Sequence, residues 1–430
     1  MRIAPILFLL MISSFVSAQK ALTMEEAVSI ALKNNYDILV ARNDAGIAKA
    51  NNTAGNAGML PTVEAIGSVN YENNNQHQKL SDGSENNYPS VSTTSVGAGA
   101  QLSWTLFDGG KMFVTKNKLT EVEALGEIQF KEKVLQTVYS VIAAYYDVVR
   151  QKQQLSSINE ALRYNKERVI IAQAGLSAGS LIKTDLLQAK IDMNVTMENA
   201  INQQFNIDVS RKTLNNLLVQ GADTSFQISD SIPLDYFPDR NTLLQKLNAS
   251  NSSILGFQKQ KDIAQLTIKE NKSNYLPMVN FNAGYFLSQT DNSRGSVLSN
   301  NLLGPQIGGS IVIPLFSAGE NKRKVSVARF QSLSAEYDLQ KIKLQVNTQF
   351  ENTFTEFENQ QQLLEIEKEN NELTKENIQI SLDRLRLGQT VSLEVRQAQE
   401  DYVQSCTRLI NFRYNLKMAE TKLKQLVSTL

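Results

Sequence analysis

The residues from which catalytic, metal-binding and disulfide sites are usually built are almost missing from this sequence of 430 residues, which has one cysteine, Cys406, and one histidine, His77. A single cysteine excludes an intrachain disulfide framework. One histidine and one cysteine also exclude histidine-rich zinc centres and cysteine cages, and no carboxylate spacing indicates another metal site. We therefore expect neither a metal nor a cofactor.

An excess of charge of either sign is also missing, because 43 lysines and arginines balance 43 aspartates and glutamates. Proteins that bind nucleic acid usually concentrate basic side chains on one face to neutralise phosphates. We therefore expect no nucleic-acid partner.

Long hydrophobic runs are confined to the N-terminus. Arg2 precedes an apolar run over residues 3–12, and a Val-Ser-Ala triplet ends at Ala18, which is the layout of a secretory signal peptide over residues 1–18. No later run reaches the roughly 18 apolar residues of a membrane helix. The sequence predicts an exported protein without a helical anchor, and without an N-terminal lipid because Gln19 is not a cysteine.

One catalytic motif does occur, because residues 175–179 fit the G-x-S-x-G pattern of a nucleophile elbow. That motif needs a strand before it, a helix after it and a histidine later in the chain. Here the flanking residues predict helices on both sides, and His77 lies upstream. We interpret the match as a coincidence and predict that the protein is not an enzyme.

The sequence repeats itself, since a shift of roughly 209 positions superimposes one half on the other without gaps over long stretches. Identical residues then coincide, including Leu106 with Leu315, Phe107 with Phe316, Gly110 with Gly319 and Gly179 with Gly388. We infer one duplicated unit, with a first repeat over residues 19–220, a linker over 221–238 and a second repeat over 239–430.

Each repeat is predicted to begin with a helix and two strands. Thr23 and Glu26 have the spacing of a capping box at the start of a mostly helical segment over residues 24–58. Apolar residues then alternate with small or polar ones, which predicts strands with one apolar face at about 61–71, 95–107, 277–288 and 305–316. The residues between paired strands, 72–95 and 289–304, are rich in Asn, Ser, Asp and Gly and are predicted as exposed loops.

Each repeat then continues as a long helical hairpin. Residues 111–174 and 320–387 lack proline and predict helices of roughly 100 Å at about 1.5 Å per residue. A glycine-containing break follows each of them, and returning helices are predicted over residues 183–219 and 391–427. Helices of this length need a partner along their length, which the returning helices supply.

The alternating strands allow several interpretations. They usually belong to a soluble sandwich or to a sheet covered by helices, but these helices are long and polar, which leaves lipid as the cover. Outer-membrane barrels need at least about eight strands, and an open edge in lipid leaves backbone groups unpaired. Other copies must then complete the barrel. Two copies would give eight strands around a lumen filled by side chains, and three, which we favour, would give about twelve and room for water.

The order of these motifs resembles that of the TolC family of outer membrane factors, over essentially the whole mature chain. The resemblance is carried by residues 22–27 (LTMEEA), by Leu-Pro at 60–61 and 276–277, and by 106–110 (LFDGG) and 315–319 (LFSAG). It implies a mainly α fold with membrane β-strands, in which four strands per chain contribute to a trimeric 12-stranded β-barrel continuous with a 12-helix periplasmic α-barrel.

The resemblance also implies a function and partners. It implies a passive export duct in the outer membrane with a periplasmic tunnel, built as a homotrimer in contact with outer-membrane lipid. Such a duct serves a tripartite efflux pump or a type I secretion system, and it docks to a periplasmic adaptor (membrane fusion) protein and an inner-membrane transporter.

The resemblance implies site residues as well. The adaptor-docking tips correspond to the two breaks, at Ala178, Gly179, Ser180, Leu387, Gly388 and Gln389. Independently of any partner, a glycine at such a break supplies a positive φ at a helix C-terminus, and both interpretations can hold.

The constriction of the periplasmic entrance corresponds to Asp185 and Glu394, and three Glu394 carboxylates around one axis would favour cations. An acid is favoured at a helix N-terminus in any case, so this alternative stays open. The second acid of the family pattern is replaced by Gln397. The family's latch positions are Leu385 and Thr390 here, which leaves Arg384 and Arg386 as candidates for a different latch.

Two further interpretations concern the membrane. Trp104 is expected at the lipid boundary, as aromatic residues are in outer-membrane barrels, although a core position is the alternative. The competing function is a periplasmic coiled-coil scaffold or adaptor that never enters a membrane, with its strands in a soluble domain. Proteins of that kind lack a pair of alternating strands in each repeat.

Overall fold

The fold is mainly helical, and its two halves repeat the same order of elements. A computed structural model describes residues 21–229 and 231–430, so the predicted signal peptide lies outside the described residues. The first half contains β1 (Ala21–Leu22), α1 (Met24–Asn34), α2 (Tyr36–Asn51), β2 (Thr62–Lys79), β3 (Glu85–Asp108), α3 (Lys111–Ser177) and α4 (Lys183–Leu218). The second contains β4 (Gln227–Ile228), α5 (Arg240–Ser250), α6 (Ser252–Ser273), β5 (Met278–Asn292), β6 (Ser299–Val312), α7 (Glu320–Arg386) and α8 (Ser392–Leu426).

The first helix begins at the predicted capping box, which is confirmed. Thr23 Oγ1 accepts a hydrogen bond from the Glu26 amide at 3.1 Å, and the Thr23 amide donates to Glu26 Oε2 at 3.2 Å. The predicted helical segment is divided into two at Asn35, whose side chain accepts from the Asp37 amide at 3.0 Å and donates to the Leu217 carbonyl at 2.9 Å. Asn251 interrupts the second half in the same way, because its amide group donates to the Leu426 carbonyl at 2.8 Å.

The long helices predicted for each repeat are present as α3 and α7, each 67 residues long. Proline is absent from both, so no residue removes a backbone donor or forces a kink. Among residues 21–229 and 231–430, none of the helices combines the length and the apolarity needed to cross a bilayer.

One compact unit, formed by residues 41–132 and 252–346, contains the sheet. Its four strands are antiparallel in the order β2-β3-β5-β6. Val63 lies opposite Leu102, Leu102 opposite Ala283, and Ala283 opposite Ile307. Because directly opposed residues point to the same side of a sheet, the alternating apolar residues of all four strands share one face, here called the apolar face. The remaining side is called the polar face.

The exposed loops predicted between paired strands are mostly wrong. Strands β2 and β3 stay paired as far as Lys79 and Glu85, and β5 and β6 as far as Asp291 and Ser299. The reason is that the ladder is held by backbone hydrogen bonds, which polar side chains do not prevent. Hydrophobic alternation, on which the prediction rested, ends earlier than the pairing does.

The other compact unit consists of the described residues up to Val40 together with Lys133–Asn251 and Asn347–Leu430. One core packs the first helix against α3 and α4 through fully buried residues such as Ala27, Val141 and Leu214. A second core forms around Tyr164, Ile378 and Tyr402 and holds the helical hairpins together. The parallel pairing of β1 with β4 also lies in this unit.

Candidate functional site

The turns that end the long helices have the same geometry in both repeats. Gly179 and Gly388 adopt left-handed φ values of 71° and 69°. In the first turn Ser180 and Gly179 donate to the carbonyls of Gly175 and Leu176, and in the second Gln389 and Gly388 donate to those of Arg384 and Leu385. This is the Schellman arrangement, which satisfies helix carbonyls that would otherwise lack donors. The glycines therefore perform the structural role expected for them.

Both turns expose apolar side chains beside the glycines. Leu387 and Leu393 are each 70% exposed, and Val391 and Ile182 are similarly open. An apolar side chain that projects into water is costly unless another molecule covers it. The predicted docking residues Ala178, Ser180 and Gln389 are exposed beside them.

The two predicted entrance acids have different surroundings. The Asp185 carboxylate accepts from the Ile182 amide at 3.3 Å, as an acid in the first turn of a helix does. Glu394 accepts a hydrogen bond from Arg384 Nη1 at 2.6 Å and another from the Thr390 hydroxyl. Gln397 donates to Asp401 on its own helix at 2.9 Å. In the single chain, Glu394 is thus partly neutralised.

The two arginines proposed for a latch make different contacts. Arg384 stays within its own turn, since it binds Glu394 and its Nη2 donates to the Gln389 carbonyl at 3.3 Å. Arg386 on α7 forms an ion pair with Glu167 on α3. Arg386 therefore joins the two hairpins of one chain, whereas Arg384 fixes the second turn.

A buried polar cluster between the hairpins was missed by the sequence analysis. Arg168 on α3 is only 2% exposed and pairs with Asp192 on α4 at 3.1 Å. Arg396 on α8 approaches the same carboxylate at 3.9 Å. Arg168 Nη1 also donates to Gln399 on α8 at 3.3 Å. Burial lowers the pKa of Arg168, and the charge of Asp192 opposes that shift.

No motif could have revealed this cluster, because its members are scattered along three helices and each belongs to an ordinary polar helix face. They line a cavity of about 460 Å³ together with Asn165 and Glu400. A further hydrogen bond joins α8 to α3, since the Tyr402 hydroxyl donates to Glu160 Oε2 at 2.8 Å. Several polar contacts thus hold the two hairpins together, and Asp192 is shared by two cations.

The polar face of the sheet carries mainly amide and hydroxyl side chains. Thr105 donates to Asn280 at 3.0 Å, and Thr93 donates to Asn292 at 2.7 Å. Trp104 lies opposite Phe281 on the apolar face, and its indole donates to the Met59 carbonyl at 3.0 Å. The Trp104 side chain is 39% exposed, and its position at a boundary between lipid and water stays a prediction.

The residues that match the G-x-S-x-G motif, 175–179, lie at the end of a helix. Ser177 is the last residue of α3, and its hydroxyl donates to the Gln173 carbonyl at 3.0 Å. A helix, not a strand, precedes it, so the geometry of a nucleophile elbow is not formed. Within residues 21–229 and 231–430, no group of histidine, cysteine and carboxylate side chains is arranged to hold a metal.

Comparison with known proteins assigns the chain to a family. The sequence matches the outer membrane efflux protein family over residues 27–219 and 243–429. It is 20% identical to the protease secretion protein PrtF of Dickeya chrysanthemi, over 100% of this chain and 93% of that protein. It is also 20% identical to the outer membrane protein TolC of Escherichia coli K12, over 100% of this chain and 87% of TolC.

The fold agrees with that of a solved outer membrane protein. The outer membrane protein VceC of Vibrio cholerae superimposes with a TM-score of 0.78 over 94% of this chain and 96% of VceC, at 15% identity. The family match covers both halves of the sequence, and the superposition includes nearly all of the chain. The chain therefore belongs to the outer membrane efflux protein family and is an outer-membrane channel subunit for efflux or secretion.

Proposed function

We propose that three copies of this chain form a passive duct through the outer membrane, in which each chain contributes four strands to a 12-stranded barrel and four helices to a periplasmic tunnel. The observation that carries the proposal is the four-stranded sheet with one apolar face and two edges, β2 and β6, that pair with no other described strand. In lipid such edges must be paired. Pairing β6 of one copy with β2 of the next closes the ring.

The sequence and the relatives support further parts of the proposal. Residues 1–18 direct export as a cleaved signal peptide, and the repeats over 19–220 and 239–430 descend from one duplicated unit. The separate family matches over 27–219 and 243–429 support that division. PrtF is named for protease secretion, which supports a role in export with an inner-membrane transporter and a periplasmic adaptor. The duct itself performs no catalysis.

The hairpin turns are the proposed docking site for the adaptor. Leu387 and Leu393 project from the second turn, and Ile182 projects from the first. Docking an apolar helix of the adaptor would remove these side chains from water. This burial would stabilise the complex by about 25 cal/mol per Å² of apolar surface. The Schellman turns fix the directions of these side chains before the partner arrives.

Replacing Leu387 and Leu393 together by aspartate is expected to abolish export and to leave the isolated channel intact. Growth would be compared on compounds that a strain without this protein fails to tolerate, and conductance would be measured on the purified variant. Leu298→Asp, at an exposed leucine outside the turns, is the control. Export at the wild-type level in the double variant would refute docking at this turn.

Glu394 and Arg384 are the proposed regulators of the entrance. Because Glu394 is bound by Arg384, Glu394→Gln alone is expected to change ion selectivity only slightly, whereas Arg384→Gln frees three carboxylates in the trimer and increases cation preference. Single-channel recordings of detergent-purified protein in a planar bilayer measure both effects. A water-soluble protein that gives no openings would refute the channel and favour the periplasmic scaffold.

A further inference from the structure

We propose that Glu64, on the polar face of the sheet, is the residue that gives the barrel segment of the duct its preference for cations. The inference rests on the proposed function, because it requires the polar face to line a water-filled lumen. It concerns a different segment of the chain from the entrance acids. It assigns the selectivity of the barrel to one side chain in each copy.

The strand register defines the position of Glu64. Glu64 lies opposite Gln101, Gln101 opposite Gly284, and Gly284 opposite Gln306. This row therefore crosses all four strands on the polar face. Its neutral members are two amides and a glycine, so Glu64 provides the only charge in the row. In the proposed trimer, threefold symmetry would place the three Glu64 carboxylates at one level around the lumen.

The charges on the polar face are all of one sign. Over residues 62–74 of β2 and the residues that pair with them across β3, β5 and β6, the polar face carries Glu64 and Glu72 and neither lysine nor arginine. Glu72 keeps its negative charge as well, because the Asn74 Nδ2 group that donates to it at 3.2 Å is neutral, but it lies further along β2, roughly 26 Å from Glu64 at about 3.3 Å per residue. Glu64 is exposed and has no hydrogen-bond or ion-pair partner within residues 21–229 and 231–430. Its full charge therefore acts on the solution.

The contrast with Glu394 decides which acid matters more for selectivity. Arg384 lies 2.6 Å from the Glu394 carboxylate, so the pair as a whole has no net charge. No arginine or lysine accompanies Glu64 on the polar face of the described strand residues that pair with 62–74. A ring of unpaired carboxylates attracts cations and repels anions in a pore, whereas a ring of ion pairs does so weakly. The barrel is therefore expected to be more selective than the entrance.

Glu64→Gln is expected to reduce the cation-to-anion permeability ratio by at least about two-fold at 0.1 M salt, where the screening length is roughly 10 Å. The effect should vanish at about 1 M salt, where that length is about 3 Å. Reversal potentials of wild type and variant in a salt gradient across a planar bilayer measure the ratio. Glu85→Gln is the matched control, because it removes the same charge from a residue that pairs with Lys79 at 3.1 Å.

A chemical experiment tests the orientation of the strand separately. Glu64→Cys and Ala65→Cys would each be made with Cys406→Ser, and a charged water-soluble thiol reagent would be added to the open channel. Current should change only with Glu64→Cys, because Ala65 is on the apolar face. Reaction at Ala65 alone would overturn the inference, as would an unchanged permeability ratio in a conducting Glu64→Gln channel. A wild-type protein that does not conduct would instead overturn the proposed function together with it.

Discussion

Asp192→Ala is expected to destabilise the helical hairpins by about 3–5 kcal/mol, which is the usual consequence of removing one partner from a buried ion pair. The reason is that Arg168 would remain buried without the carboxylate that it contacts at 3.1 Å. Arg396, which approaches the same carboxylate, would lose its link to the first hairpin as well. Thermal unfolding of the detergent-purified protein, followed by far-UV circular dichroism, measures the loss.

Two controls separate buried charge from general damage. The double variant Arg168→Met with Asp192→Ala should recover most of the stability, because no unpaired charge is left in the interior. Asp383→Ala should cost about 0–1 kcal/mol, since its ion pair with Arg386 is exposed. If the double variant were as unstable as Asp192→Ala alone, the buried charge would not be the cause.

The same substitution should loosen the contact between the hairpins. Arg396 of the second hairpin forms an ion pair with Asp192 of the first hairpin, and Arg386 of the second hairpin forms one with Glu167 of the first hairpin. Asp192→Ala removes the first of these ion pairs, so the hairpins should separate more easily. Single-channel recordings of this variant should show larger or more frequent openings than those of wild type. Adding Glu167→Gln should increase the difference further.

Gly109→Ala is expected to prevent correct assembly of the sheet, with a cost of roughly 2–5 kcal/mol from a left-handed backbone and an overpacked contact together. Gly109 has a φ of 75°, and a Cβ atom at this position would lie against the Ser273 carbonyl and 2.7 Å from Leu276 Cβ. The backbone of Ser273 cannot move away as a flexible side chain would. Gel electrophoresis of unheated and heated samples would report the failure, because the unheated variant would no longer migrate as the proposed oligomer.

The neighbouring glycine provides the matched control. Gly110 has a φ of 81°, yet a Cβ atom there would meet nothing within 4 Å. Gly110→Ala should therefore lower the free energy of unfolding by only about 1–2 kcal/mol, which is the cost of the left-handed backbone alone. Ala318, which aligns with Gly109 in the second repeat, already adopts a φ of 49°. Equal damage from Gly109→Ala and Gly110→Ala would show that the close contact is unimportant.

Much of the architecture could be predicted because it depends on local pattern. Alternation in the four strands predicted which residues share a face, and the register confirms this for Val63, Leu102, Ala283 and Ile307. The capping box at Thr23 was predicted for the same reason, since it depends on residues three positions apart. The strand ends were not predictable, because backbone pairing between β2 and β3 and between β5 and β6 continues beyond hydrophobic alternation, whereas β6 ends at Val312 although the alternation runs on to Leu315.

The arrangement of charges in the candidate site could not be predicted, because it depends on contacts between distant segments. Arg168 and Gln399 are far apart in sequence but hydrogen-bonded. The partner of Arg386 was equally hidden, since Glu167 belongs to the other repeat. The family resemblance indicated Glu394 as an entrance residue, but only the structure revealed that Arg384 neutralises it.

The two hairpin turns are closed by different contacts, because the two repeats have diverged in sequence since the duplication. Arg384 aligns with Gly175 under the repeat shift, where Leu181 packs so closely that a Cβ atom would come within 2.7 Å of its side chain. Two identical repeats would place six equivalent tips around a trimer, and any adjustment would affect all six. In the proposed trimer, divergence at this position and at Leu181, which aligns with Thr390, would leave three tips closed by tight packing and three closed by a charge pair. An alternating ring of this kind would respond to salt at every second tip while the others stay fixed.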